Sequence, residues 1–165
     1  MIAEADMLAA LNSLGVAWTL IEHAAVFTVE ESAQLHHDIA GAHTKNLFLK
    51  DAAGQFWLVT APHEARIDLK ALPGVIGSRK LSFGKADDME LLLGIKPGSV
   101  TPLAVFNDRQ GAVRIVLDSR LAGQARINVH PLRNTATLGL SGPDLLTALA
   151  AWDHPVLMVA LPAPN

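Results

Sequence analysis

The sequence predicts a single α/β domain in which a mixed, mainly antiparallel central sheet is surrounded by helices. Three observations predict it. The chain has 165 residues, 50% of them apolar, enough to bury one substantial core at the usual size of one domain. Hairpin signals alternate irregularly with helical periodicity, which favours a mixed sheet over a regular succession of βαβ units. No internal repeat or low-complexity linker divides residues 1–165, so one domain is expected throughout.

The elements follow in order. Met7, Leu8, Leu11 and Leu14 recur at helical spacing and Gly15 stops them, so an amphipathic helix comes first, with a strand through Val16 to Ile21 after it. Thr28 followed by Glu31 is a capping-box pattern that places a second helix from Val29 to Asp38, before the breaker Gly41. The apolar runs Leu47 to Leu49 and Phe56 to Val59 flank Asp51-Ala52-Ala53-Gly54, a hairpin whose first strand starts at Lys45 and Asn46. Asp68 is expected to cap a short helix ending near Leu72, because Pro73-Gly74 should not continue it. Asp87 to Leu93 forms another, stopped by Gly94. Lys96 to Pro102 carries two prolines and a glycine and reads as an ordered loop, a candidate binding wall. Strands are expected at Leu103 to Phe106, Val113 to Leu117, Arg126 to Val129 and Thr135 to Leu140, with Asn107 to Gly111 turning the first pair. Ser141, Pro143 and Asp144 open a helix to about Trp152, and Val156 to Leu161 is a last strand.

Composition removes several chemistries. There is no cysteine, which excludes disulfides, thiolate nucleophiles and Cys-ligated zinc. No apolar run approaches the roughly 18 to 20 residues of a bilayer span, and no signal peptide pattern opens the chain, so a cytoplasmic protein without a membrane partner is expected. The nucleophile elbow, the P-loop, the dinucleotide fingerprint and H-E-x-x-H are all missing. The nearest approach to a metal cluster is His36, His37 and His43, two of which share a helix face only if the helix continues through Gly41; no metal or cofactor is expected. The net charge of −3 hides an asymmetry: residues 1–44 hold six acids and no Lys or Arg, whereas 45–85 hold seven basic residues against three acids. Such a segment can guide a polyanion to one face, although a merely solvated surface explains it as well.

Four strings carry the most information: Phe27-Thr28-Val29-Glu30-Glu31, the run T-K-N-L-F-L-K-D from Thr44, Gly98-Ser99-Val100-Thr101-Pro102, and H-P-L-R-N-T-A-T from His130. In this order and at these separations they resemble the free-standing prolyl-tRNA synthetase editing-domain family (the YbaK superfamily), in its alanyl-tRNA(Pro) deacylase branch. The resemblance covers essentially the whole chain. It implies a metal-independent hydrolase that removes alanine from mischarged proline tRNA, sparing the correct product by steric exclusion. The logic is physical: a pocket built for proline rejects the smaller alanine by only about 1 to 3 kcal/mol per missing group, so accuracy needs a second sieve. An aminoacyl ester is already activated, and positioning with charge stabilisation supplies much of the acceleration.

The resemblance also implies site residues. Lys45 matches the family's functional lysine; ordinary lysine titrates near 10.4, so its implied role is electrostatic, toward the terminal adenosine phosphate or the ester carbonyl, with the substrate's ribose hydroxyl helping to activate water. Asn46 is placed to orient the substrate, or else caps a strand. Gly98 and Pro102 match a G-x-x-x-P loop that, with Ser99, Val100 and Thr101, forms one pocket wall. His130 corresponds to a pocket-lining position and is assigned to size selection, its other reading being a satisfied core histidine. Asn134 and Thr135 support that loop, and Ile39 and Leu47 are expected as apolar walls. Thr28 and Glu31 are explained by capping alone. Lys50, Arg79 and Lys80 are expected to contact acceptor-stem phosphates, or to be plain surface cations. The implied partner is the acceptor end of mischarged proline tRNA, not DNA, with prolyl-tRNA synthetase or elongation factor sharing that substrate. Two other functions remain open at this point: a sister deacylase for cysteine or serine, and a catalytically silent module that binds tRNA or a synthetase.

Overall fold

The computed structural model describes residues 3–165. Helix α1 (Glu4–Ser13) buries Met7 and Leu11 completely. Its end shows why the first strand starts late: Gly15 takes φ 72° and Val16 N donates back to Leu11 O at 3.1 Å, the 6→1 bond of a Schellman cap. Val16 therefore closes the helix, and β1 is Thr19–Glu22. Helix α2 (Val29–Asp38) begins as the capping pattern requires, with Thr28 Oγ1 accepting from Glu31 N at 3.0 Å. The hairpin β2 (Ala42–Asp51) and β3 (Phe56–Pro62) is longer than its apolar runs, so Lys45 and Asn46 sit inside a strand. Asp51 builds the turn, accepting from Ala53 N, Gln55 N and Trp57 Nε1.

Helix α3 (Leu72–Ile76) corrects one expectation: it runs through Pro73-Gly74. Proline in a first turn loses only an N–H that would lack a helical partner anyway. Asp68 caps the preceding turn instead, accepting from Lys70 N and Ala71 N. Strand β4 (Leu81–Phe83) was not anticipated, whereas α4 (Ala86–Leu93) stops at Gly94 as expected, with φ 68° there. Pro102–Asn107 is a 3-10 helix, not a strand. Thr101 Oγ1 caps it, and Leu103, Ala104 and Val105 are buried consecutively; a short all-apolar run has no period from which to choose helix or strand. The following turn thus joins no strand pair. Asp108 organises it, accepting from Ala112 N and Val113 N and from His154 Nε2 at 2.9 Å, in a buried pair.

The rest of the chain forms β5 (Val113–Asp118), the unanticipated short α5 (Ser119–Ala122), β6 (Ile127–Val129), β7 (Ala136–Leu140), α6 (Gly142–Ala151) and β8 (Val156–Val159). The sheet order is β1-β7-β6-β2-β3-β5-β8, with β4 paired to the end of β2. It is mixed: β2 runs antiparallel to β3 and β4 but parallel to β6, and β3, β5 and β8 are mutually parallel in sequence. Period-two alternation sends Phe48 and Leu58 to a main core with Leu11, Leu117, Leu138 and Leu149, and Leu49, Trp57 and Val59 to a second core with Leu72 and Ile76. On its side away from β3, β2 pairs with β6 only at Ala42 and His43 and with β4 only from Leu49. Among the described residues no strand pairs with 44–47 along that edge, Phe48 O accepting from Gly84 N, and there the sheet opens.

Candidate active site

A cavity of about 370 Å³ fills that opening. Four consecutive β2 residues, His43 to Asn46, line it. Neighbours in a strand point to opposite faces, so a cavity touching all four wraps the free edge instead of lying on one face. From the opposite wall come Asn128, Val129 and His130, the last just beyond the end of β6, with Asn134 and Thr137; α2 contributes Ser32, Leu35 and His36, and the 96–101 loop contributes Gly98 and Val100.

Lys45 Nζ donates to Ala65 O, which holds the ammonium at the cavity. An ammonium has three N–H donors, so two remain. Asn46 is more committed: Nδ2 donates to Val100 O at 3.1 Å while Oδ1 accepts from Thr60 Oγ1 at 2.6 Å, tying the loop to the hairpin. Gly98 has φ 92°, a conformation that favours glycine, and a Cβ there would meet Asn134 Nδ2 at an ordinary 3.6 Å. Backbone conformation, not lack of space, therefore calls for glycine at this position.

Histidines dominate the lining: His23, His36, His43, His63 and His130, five of the seven in the chain. His23 Nδ1 donates to Ala24 O, so in the neutral ring Nε2 accepts from Thr137 Oγ1. His43 Nε2 faces the carbonyls of His36 and Ile39 and must be a donor. His36 stacks on His43 at 4.1 Å and meets His63 edge-on at 4.3 Å. Burial, then the neighbouring His43 and His63, lower the His36 pKa to about 4, with Glu64 opposing. Burial lowers His63 as well, followed by the charge of Lys45. His130 is lowered chiefly by burial, the Ala136 backbone opposing and His23 adding to it. Its Nδ1 is buried with no hydrogen-bond partner among the described residues. Among those residues no group of three His, Cys, Asp or Glu is placed to hold a metal ion.

The structure thus gathers Lys45, Asn46, Gly98, Val100, His130 and Asn134 on one cavity. Others named from the sequence are not on its wall. Ser99, Thr101 and Pro102 are buried behind Gly98 and Val100. Ile39 is buried at the end of α2, reaching the site only through its carbonyl, and Leu47 packs against the second core. Lys50, Arg79 and Lys80 are exposed where the β2–β3 hairpin turns: Lys50 Nζ lies over Phe56, Arg79 N donates to Asp51, and Lys80 O accepts from Ala52 N. That is five residues along β2 from Lys45, roughly 16 Å for an extended strand. Sequence reasoning missed His23, Thr44, His63 and Asn128; only His63 carries a clue, in the charged run after β3.

Residues 23–148 match the aminoacyl-tRNA editing domain family. The chain belongs to the aminoacyl-tRNA editing-domain family. The protein is accordingly an aminoacyl-tRNA deacylase, a hydrolase acting on ester bonds. This editing domain is 42% identical to the prolyl-tRNA editing protein ProX of Acetoanaerobium sticklandii, over 87% of this chain and 88% of that one. It is 39% identical to the prolyl-tRNA synthetase associated domain-containing protein 1 of Bos taurus, covering 94% and 96%. In fold it matches the crystal structure of a proposed trans-editing enzyme for prolyl tRNA synthetase with a TM-score of 0.74, 20% identity and 99% of both chains covered.

Proposed function

We propose that the protein is a trans-editing deacylase that hydrolyses the alanyl ester of mischarged proline tRNA and spares prolyl-tRNA(Pro). The observation that carries this reading is the convergence of Lys45, Asn46, Gly98 and His130 on one cavity in a member of the editing-domain family. The similarity to ProX, a prolyl-tRNA editing protein, supports proline tRNA as the carrier. The strings K-N-L-F-L-K-D and H-P-L-R-N-T-A-T, which resemble the alanine branch, support alanine as the amino acid. The two free donors of Lys45 face the negative charge that develops as water attacks the ester carbonyl, a contribution of a few kcal/mol in a partly dry site. Asn46 acts as a positioning residue that keeps Val100 against the pocket. His130, which burial biases toward the neutral ring, lines the cavity and fills the space a pyrrolidine ring would need. Ile39, Leu47, Ser99, Thr101 and Pro102 support the wall from behind. The substrate is the acceptor end of tRNA, so prolyl-tRNA synthetase and elongation factor meet the same molecule, and the activity belongs in the cytoplasm.

Deacylation of Ala-, Pro-, Cys- and Ser-tRNA(Pro), measured for wild type and Lys45→Ala with a chelator present, tests the reading. Rapid loss of alanine with proline spared, slowed about 100-fold or more by Lys45→Ala, is expected. Preferential release of cysteine or serine would move the assignment to a sister specificity, and binding of tRNA without cleavage of any ester would overturn the catalytic roles.

A further inference from the structure

Phe27 is 84% exposed, more than any other large apolar side chain among the described residues. Its position explains why. It precedes Thr28, the N-cap of α2, where a hydrophobic residue ordinarily packs against the fourth residue of the helix. That fourth residue is Ser32, which is small, polar and part of the cavity wall. Val26, on the other side of Phe27, lines the cavity too. Phe27 is thus exposed between one cavity-lining neighbour, Val26, and a helix whose fourth residue offers it no apolar partner. An aromatic face left in water beside a binding cavity favours a flat, weakly polar occupant. Glu30 and Glu31 in the first turn of α2 cancel the attraction a helix start otherwise holds for phosphate, so the occupant is an uncharged planar group and not a backbone phosphate.

We propose that Phe27 is the stacking platform for the terminal nucleobase of the tRNA, placed beside the ester in the cavity; this rests on the deacylase reading above. The tRNA 3′ end is single-stranded, and every base offers a face to an aromatic ring. The platform is continuous with the cavity through Val26 and Ser32, so a base on Phe27 adjoins an ester near Lys45. The contact forms equally in the ground and transition states and therefore acts on binding, not on the chemical step.

The test uses an acceptor-stem microhelix with an unpaired 3′ end whose terminal adenine is replaced by 2-aminopurine, a fluorophore quenched by stacking. Wild type is expected to quench it. Phe27→Ala and Phe27→Leu lose the quenching and raise KM for Ala-tRNA(Pro) about tenfold with kcat within about twofold, whereas Phe27→Trp retains both. Because the ring is exposed, all three variants keep the wild-type Tm. Unchanged quenching and KM in Phe27→Ala overturn the platform, and retention of both by Phe27→Leu does the same, since an apolar contact would then suffice. Wild type that stacks the probe but cleaves no ester sinks the deacylase reading and leaves the platform standing. Efficient cleavage without Phe27 dependence does the reverse.

Discussion

His36 is held neutral by its surroundings, and this has a consequence for stability. Its folded pKa of about 4 lies below the ordinary 6.5. Between those values the unfolded chain binds the proton and the folded one does not, so stability is complete above about pH 6.5 and declines as pH falls toward 4. His63 and His130 shift in the same direction, each first by burial, and steepen the decline. Urea unfolding at about pH 7.5, 6 and 5 is expected to show it. His36→Gln should flatten the slope; an unchanged slope in His36→Gln would mean that this ring is not sequestered. Lys45, Gly98 and His130 were named through the family strings and not from their own chemistry, and the structure brings the three onto one cavity. Ile39 and Leu47 are not on the cavity wall, because an apolar side chain is equally suited to a pocket wall and to packing behind it. Packing decided for the core.

Helix starts were legible because caps are local. Thr28 and Ser141 each accept from the backbone N–H three residues on, and nothing distant is needed for that. Strand β4 and helix α5 were not legible, since three and four residues carry no measurable period and exist by pairing with β2 or packing under β5. The α5–α6 junction is close enough to test. A Cβ on Gly142 would lie 2.3 Å from Leu121 O and 2.6 Å from Ala122 O, both backbone atoms that a rotamer change cannot move. Gly142→Ala is expected to cost about 1 to 3 kcal/mol, seen as a lower urea midpoint with an unchanged slope. An unchanged midpoint would show that α5 yields freely.

Across the whole molecule the basic trio lies well apart from the cavity, at the far end of the hairpin that carries Lys45. A single-stranded 3′ end separates an ester from its acceptor stem, so cations at that remove suit the phosphates of the stem. Replacing Lys50, Arg79 and Lys80 together by Ala is expected to reduce the slope of log binding constant against log salt by about 2 to 3 and to leave kcat at saturation unchanged. An unaltered slope would make them ordinary surface cations. Fold class, most helices and the hairpin followed from the sequence alone, because periodicity, caps and turn residues act over a few positions. So did the family, through four short strings. Only the tertiary structure decided that β6 and β4 share one edge of β2 and leave a gap between them. It also gathered five histidines from distant positions around that gap and left Phe27 exposed beside a cavity-lining residue. Those outcomes depend on strand order and on which face each element buries, and pairings between residues far apart in the chain leave no local mark.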